Sequence, residues 1–148
     1  MSLQKQVMDK MKEAMKSKDT VALTALRALK SAFMLANTET GSGEISEADE
    51  LKIIQKQVKQ RKDSAVVFSE QGRADLADPE LAEAAVLEQF LPEALSEDEI
   101  EKVVKETIVK VGAEGMKDMG KVMGMVSKQL AGKADGKTIS MIVKKNLA

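Results

Sequence analysis

The feature that most constrains the fold is a repeat of apolar residues every three or four positions along most of the chain. This spacing places apolar side chains on one face of an α-helix, and no segment shows the sustained alternation typical of a strand. Residue types that lose little side-chain entropy in a helix dominate the 148 residues, and proline occurs only twice. The sequence therefore predicts an all-α protein.

Capping residues and glycine stops set the boundaries of the predicted helices. The sequence leaves open whether residues 73–77 extend the fourth helix backwards from Asp78-Pro79. Residues 20–37 are apolar almost all round and are expected to form the most buried element. The first helix begins after Ser2, and the others cover roughly residues 20–37, 47–71, 78–89, 97–111, 117–131 and 136–147.

Breaks in these patterns predict two domains. Leu91-Pro92 interrupts the helical pattern, which predicts a helical N-terminal domain (1–92) followed by a small three-helix C-terminal bundle (93–148). Gly41-Ser42-Gly43 is expected to be a flexible connector between the second and third helices.

Two arginines, Arg27 and Arg61, fall on largely apolar helices. A buried guanidinium requires a carboxylate partner. An internal ion pair between helices is therefore the favoured interpretation for both residues, ahead of a ligand site.

Composition excludes several kinds of chemistry. The chain has no cysteine and no histidine, so it lacks disulfides, thiolate metal sites and the commonest general base. It has no nucleophile elbow and no phosphate-binding loop. We therefore predict no catalytic residues, no metal site and no cofactor. The longest apolar run is the five residues Ala32–Ala36, so we expect no membrane span and a cytoplasmic location.

The net charge of −1 conceals a strong asymmetry. Residues 1–38 carry seven basic and three acidic groups, residues 39–100 carry six and sixteen, and residues 101–148 carry ten and five. Such an uneven distribution indicates different partners for different regions, or merely unevenly charged solvated helix faces.

Lysines and glycines share one side of the predicted helix that begins near Lys117. At about 100° per residue, Lys117, Lys121 and Lys128 lie within about 40° of one another, opposite the apolar face. Gly120 and Gly124 lie beside them and away from the core. Small residues there predict close approach of another backbone, either a phosphodiester chain or a partner helix. A neighbouring helix of the same domain is an equally good explanation.

The final helix repeats this arrangement, with Lys137 and Lys144 opposite its apolar residues and Lys133 in the preceding loop. No aromatic residue follows Phe90, so base stacking is not expected, and binding would depend on phosphate and shape. The candidate nucleic-acid-binding residues are Lys117, Gly120, Lys121, Gly124, Lys128, Lys133, Lys137 and Lys144.

Several blocks of the sequence resemble the YqeY family, whose C-terminal part is similar to the tail domain of the GatB component of the aspartyl/glutamyl-tRNA amidotransferase. The resemblance covers essentially the whole chain. Phe90 stands where the family commonly has tyrosine. The matching blocks are Leu26–Ala32, Lys59–Ser64, Phe90–Pro92, Asp118–Met123 and Gly132–Lys137.

The resemblance implies an all-α, two-part fold and a tRNA-contacting C-terminal module, with Lys121 and Lys137 inside matching blocks. The leading hypothesis is thus a free-standing tRNA-binding accessory module. One alternative is a helical adaptor that docks onto an aminoacyl-tRNA synthetase or an amidotransferase, through residues 39–100 or the Gly120/Gly124 groove. A third is carbon–nitrogen ligase activity with glutamine as amido donor, which rests on family association alone.

Overall fold

The computed structural model describes residues 2–41 and 43–148, so Ser42 of the predicted connector lies outside the described residues. Within these ranges the chain forms seven α-helices, one short 3₁₀-helix and no strand. The all-α prediction is confirmed. The helices group into two compact units that divide between Leu91 and Pro92, here called the N-terminal and C-terminal units. The division into two domains, residues 1–92 and 93–148, stays a prediction.

The N-terminal unit contains four helices, and side-chain caps begin the first three. Ser2, Asp19 and Ser46 each accept a hydrogen bond from a backbone N–H in the first turn of the helix that follows. Each cap of this kind stabilises a helix by about 1 kcal/mol. The helices are α1 (Leu3–Ser17), α2 (Thr20–Glu39), α3 (Glu47–Glu70) and α4 (Ala74–Glu88).

Helix α4 begins before the predicted start at Asp78-Pro79. The structure shows the backward extension that the sequence left open, and Pro79 lies inside the helix. Gly72 has a φ of 72°, which lets the chain reverse direction directly after α3. Ala77 is buried, so packing holds the first turn of α4 in place although no side chain caps it.

The core of the N-terminal unit is aliphatic apart from Phe33 and Phe90. Helix α2 contributes a fully buried stripe that includes Leu26 and Leu29. Another side of the helix is exposed at Met34 and Leu35, so α2 is buried along one stripe although its sequence is apolar almost all round. Hydropathy shows which residues can be buried, but a stripe is buried only where another helix covers it.

The two arginines lie in different environments. Arg27 is exposed, so the predicted internal ion pair is wrong for this residue. Arg61 is largely buried between α3 and α4, where its Nε lies 4.0 Å from Oε1 of Glu83 and the two side chains are 13% and 16% exposed. Its Nη1 donates to the side-chain oxygen of Gln57 at 2.7 Å. The prediction of an internal ion pair is confirmed for Arg61.

The C-terminal unit is a three-helix bundle with its own aliphatic core. Ser96 and Glu99 form a capping box at the start of the first helix, and Gly112, with a φ of 67°, ends it. Among the described residues, no helix combines the length and hydropathy of a membrane span. The helices are α5 (Glu97–Val111), α6 (Met119–Gln129) and α7 (Gly136–Leu147).

A buried carboxylate links two helices of the N-terminal unit. Oε2 of Glu50, in α3, accepts a hydrogen bond of 3.2 Å from the backbone N–H of Gln4 at the start of α1. Loss of water around this carboxyl raises its pKa above the ordinary 4.5, and the negative charge of Glu47 raises it further. The hydrogen bond from Gln4 opposes this shift without cancelling it. The charged form of Glu50 is therefore less favourable in the folded chain than in water.

Glu50→Gln should remove this charge while keeping an oxygen that can accept the hydrogen bond from Gln4. Because the folded-state pKa of Glu50 is raised, its protonated form stabilises the fold below pH 4.5, and this contribution is lost as pH rises through the folded-state pKa. The stability of the variant relative to wild type should therefore increase across that window. Urea unfolding at a series of pH values measures the difference, with exposed Glu70→Gln in the same helix as the control. A difference that shrinks as pH rises contradicts the prediction.

Glu83→Gln should leave the guanidinium of Arg61 without a carboxylate. Because both side chains are largely buried, we expect a loss of about 1–3 kcal/mol in the free energy of unfolding. Replacing both members, Arg61→Met with Glu83→Met, should cost less than Glu83→Gln alone, since no unpaired charge remains. Denaturant unfolding measures all three proteins. Equal stability of wild type and Glu83→Gln would show that the pair contributes nothing.

Candidate nucleic-acid interface

Helix α6 presents lysines to solvent because its apolar residues fix its rotation. Val122 and Val126 are completely buried in the core of the C-terminal unit. Lys121, Gly124 and Lys128 then face solvent. The two lysines are seven residues apart, which corresponds to about 10 Å along the helix axis.

Helix α7 has the same arrangement. Ile139 and Val143 are buried against the same core, and Lys137 and Lys144 are exposed. Helices α6 and α7 pack against each other and against α5. The lysines thus occupy the outer faces of two neighbouring helices.

The remaining two lysines lie outside α6 and α7. Lys133 is exposed in the turn between these helices. Lys117 belongs to the 3₁₀-helix Met116–Asp118, because α6 begins only at Met119. The predicted helical stripe of Lys117, Lys121 and Lys128 is therefore wrong in its first member. Nζ of Lys117 also lies 3.9 Å from Oε2 of Glu114, an exposed pair of little energetic weight.

The lysines of α6 and α7 have few carboxylates near them. Neither helix contains an acidic residue. The two acids that precede them are engaged elsewhere: Asp118 accepts the backbone N–H of Glu114 at 2.9 Å, and Asp135 caps α7 through the N–H of Thr138 at 2.7 Å. Within the described ranges, the lysines with no carboxylate at ion-pair distance include Lys121, Lys128, Lys133, Lys137 and Lys144.

Gly120 and Gly124 lie on the exposed side of α6, as the sequence predicted. A Cβ atom added at either position would meet nothing within 4 Å, so no helix of the same unit packs against these glycines. Gly120 is the second residue of α6, where a glycine costs less than in the helix interior. Gly124 is interior and carries the full cost of about 1 kcal/mol relative to alanine. Packing therefore does not explain Gly124.

Two exposed methionines accompany the lysines, and sequence reasoning missed them. Met125 lies between Lys121 and Lys128 on α6, and Met141 lies between Lys137 and Lys144 on α7. The sequence did contain a signal for their exposure, because neither methionine falls on the apolar stripe of its helix and each lies between two lysines. The thioether is a flexible apolar group that adapts to irregular surfaces. These exposed residues of α6 and α7 are together called the lysine face below: Lys121, Lys128, Lys137, Lys144, Gly120, Gly124, Met125 and Met141.

The lysine face has the chemistry of an anion-binding surface. Its lysine ammonium groups are positively charged hydrogen-bond donors. Elsewhere, no group of three or more acidic side chains in the described part of the chain could hold a metal ion.

The chain matches the family model described as Yqey-like protein over residues 4–147. It therefore belongs to the YqeY family. It is also 32% identical over 126 residues to "Altered inheritance of mitochondria protein 41, mitochondrial" of Pyrenophora tritici-repentis, a match that covers 84% of this chain and 68% of the relative.

A shorter similarity connects the chain to tRNA amidotransferases. It is 36% identical over 73 residues to a glutamyl-tRNA(Gln) amidotransferase subunit of Thermococcus gammatolerans and 40% identical over 73 residues to the subunit of the same name from Thermococcus sibiricus. Each match covers 47% of this chain and 12% of the relative. The chain is thus related to a small part of these proteins, about an eighth of their length.

Gly124→Ala should stabilise the protein, because the added methyl group meets open space in a helix interior. We expect the free energy of unfolding to rise by about 0.5–1 kcal/mol. Gly120→Ala is the matched control and should give a smaller gain, since Gly120 lies in the first turn. Thermal or urea unfolding measures both. Destabilisation by Gly124→Ala would mean that another part of the chain packs at this position.

Proposed function

We propose that the chain is a tRNA-binding accessory module that holds the phosphate backbone on the lysine face. The observation that carries this proposal is the pair of neighbouring helices, α6 and α7, with exposed lysines and no acidic residue. Lysines without internal counterions gain most from a polyanion, because phosphate contact releases the counterions condensed on the nucleic acid.

The groups between the lysines support a nucleic acid as the ligand. Gly124 leaves the backbone of α6 open, so a phosphodiester chain can approach it closely. All three phenylalanines lie in the N-terminal unit, and the chain has no tyrosine or tryptophan. Because single-strand binders rely on stacking of bases on aromatic rings, a folded RNA suits this surface better than an unpaired strand.

The relatives favour tRNA among folded RNAs. The names of the related Thermococcus proteins specify an amidotransferase that acts on glutamyl-tRNA(Gln). A module related to part of such a protein is suited to hold tRNA for another enzyme. The cytoplasmic location stays a prediction, since the Pyrenophora relative is named as mitochondrial.

Binding of bulk tRNA should be saturable and should weaken steeply with salt. If Lys117 and Lys133 contact phosphates together with the four lysines of the lysine face, the slope of log affinity against log salt should be about −4 to −5. Mobility-shift or filter-binding titrations at several salt concentrations measure this slope. Absence of saturable binding at ~50 mM salt would exclude the proposed function.

Lys121→Ala with Lys128→Ala should flatten the slope by about 0.7–0.9 for each lost contact. The loss of affinity should be similar for different tRNAs, because phosphate contacts carry no base information. Lys121→Glu should weaken binding further in the same uniform way. Lys56→Ala, an exposed lysine of α3, is the matched control and should leave the slope unchanged. An equal effect of the control would locate binding outside the lysine face.

Gly124→Leu separates ligand approach from folding. The leucine side chain would fill the open position on α6, so tRNA affinity should fall by about tenfold or more. Leucine is a good helix former, so the free energy of unfolding should stay equal or rise. Unchanged affinity in a folded variant would remove Gly124 from the site while leaving the lysines to be tested separately.

Association with an amidotransferase is the second candidate function, and the relation to the Thermococcus proteins favours it. The test is co-sedimentation of the purified chain with a purified glutamyl-tRNA(Gln) amidotransferase before and after nuclease treatment. Nuclease-resistant association supports direct docking. Association that disappears with the RNA assigns the interaction to tRNA.

A further inference from the structure

Helix α1 carries a strip of cations and thioethers that packing within the N-terminal unit does not use. Lys5 and Lys12 are exposed, and Met8 and Met15 beside them are 40% and 52% exposed. Neither lysine has a carboxylate at ion-pair distance in the described part of the chain, whereas Lys10 lies 3.1 Å from Glu13. These four residues (Lys5, Met8, Lys12 and Met15) are called the α1 strip.

Helix α4 carries a strip of the opposite charge. It contains no lysine or arginine. Asp78 is exposed with no cation at ion-pair distance among the described residues, and Leu81 is 48% exposed. Ala82 and Ala85 are exposed on the same side of the helix. These four residues (Asp78, Leu81, Ala82 and Ala85) are called the α4 strip.

Three acids of α4 have partners: Glu83 is near Arg61, Glu88 forms an ion pair with Lys62, and Asp75 pairs with Arg73. Glu83 lies on another side of the helix from Asp78, whereas Glu88 and Asp75 border the α4 strip. The charge of Asp78 and the apolar surface around Leu81 therefore remain available.

The two helices match in length, and the two strips are complementary at one charged pair and one apolar pair. Helices α1 and α4 each have 15 residues, or about 22 Å. In an antiparallel pairing that sets Lys12 opposite Asp78, Met8 lies opposite Ala82, where a small side chain leaves room for the thioether. Antiparallel packing also opposes the two helix dipoles favourably.

We propose that the two strips form a self-association interface, in which α1 of one copy packs against α4 of a second copy. A two-fold axis repeats the contact, since α4 of the first copy then receives α1 of the second. The dimer covers apolar side chains that each single chain exposes, and it pairs lysines with aspartates that otherwise have no partner. This inference concerns the N-terminal unit alone and stands apart from tRNA binding.

Sedimentation equilibrium of the full chain, free of nucleic acid, tests the proposal. Wild type should show a monomer–dimer equilibrium between about 1 μM and 1 mM, the range of dissociation constants expected for weak interfaces. Lys12→Glu and Asp78→Lys should each raise the dissociation constant about tenfold, because each sets like charges opposite one another twice.

An equimolar mixture of the two variants tests directly whether residue 12 of one copy faces residue 78 of the other. In the mixed dimer, the glutamate introduced by Lys12→Glu in one chain faces the lysine introduced by Asp78→Lys in the other. The second contact joins an unchanged Lys12 to an unchanged Asp78, so both contacts are complementary again. The mixture should dimerise with nearly wild-type affinity. Controls are Lys56→Glu and Glu70→Lys, which reverse exposed charges of α3 outside both strips and should not affect dimerisation.

Three results would overturn the proposal. The first is a wild-type chain that stays monomeric throughout the concentration range, which would leave the strips to another partner or to solvent. The second is a dimer that Lys12→Glu and Asp78→Lys do not weaken. The third is a mixture of these two variants that dissociates as readily as each variant alone.

Discussion

Each unit is stabilised by its own core, to which each of its helices contributes one apolar stripe. The direction in which the stripe points determines which side chains of the helix are exposed to solvent. Val122 and Val126 fix the rotation of α6, and Lys121 and Lys128 face outward as a result. A rotation by one residue, about 100°, would expose valine and move a lysine toward the core. Because burial of an unpaired ammonium group is costly, the core and the charged surface specify the same rotation.

Helix capping explains why so many lysines lack internal partners. Five of the nine acids of the C-terminal unit lie in the first turn of a helix or directly before it, near the positive end of the helix dipole. Glu99 completes the capping box of α5, and Asp135 caps α7. Helices α6 and α7 carry lysines and no acid, and Lys145 of α7 lies 3.9 Å from Oε1 of Glu101 in α5. The lysines of α6 and α7 that lack ion-pair partners do so because carboxylates such as Glu99 and Asp135 accept hydrogen bonds from backbone N–H groups instead.

The sequence predicted most helices because caps and glycine stops are local signals, and it failed where tertiary contacts decide. The sequence left open whether residues 73–77 belong to α4, and the structure begins the helix at Ala74, with Ala77 buried. Arg27 has apolar sequence neighbours, Leu26 and Ala28, and is exposed. Arg61 lies between polar Gln60 and Lys62 and is largely buried beside another helix. On the candidate site, exposure of Lys121, Lys128, Lys137 and Lys144 followed from periodicity. Periodicity did not predict the position of Lys117, because this residue lies in the 3₁₀-helix that precedes α6.

The separation of charge within each unit also governs how the molecule meets a polyanion from a distance. Residues 92–148 carry ten basic and nine acidic side chains, so the C-terminal unit is nearly neutral although two of its helices are cationic. Beyond a Debye length of about 8 Å, the opposite charges largely cancel and long-range attraction is weak. Such a surface gains little acceleration of encounter from electrostatic steering. The electrostatic field of this surface acts mainly at close range, where it orients the protein relative to the polyanion. Salt should therefore change the lifetime of a complex more than the rate at which the complex forms.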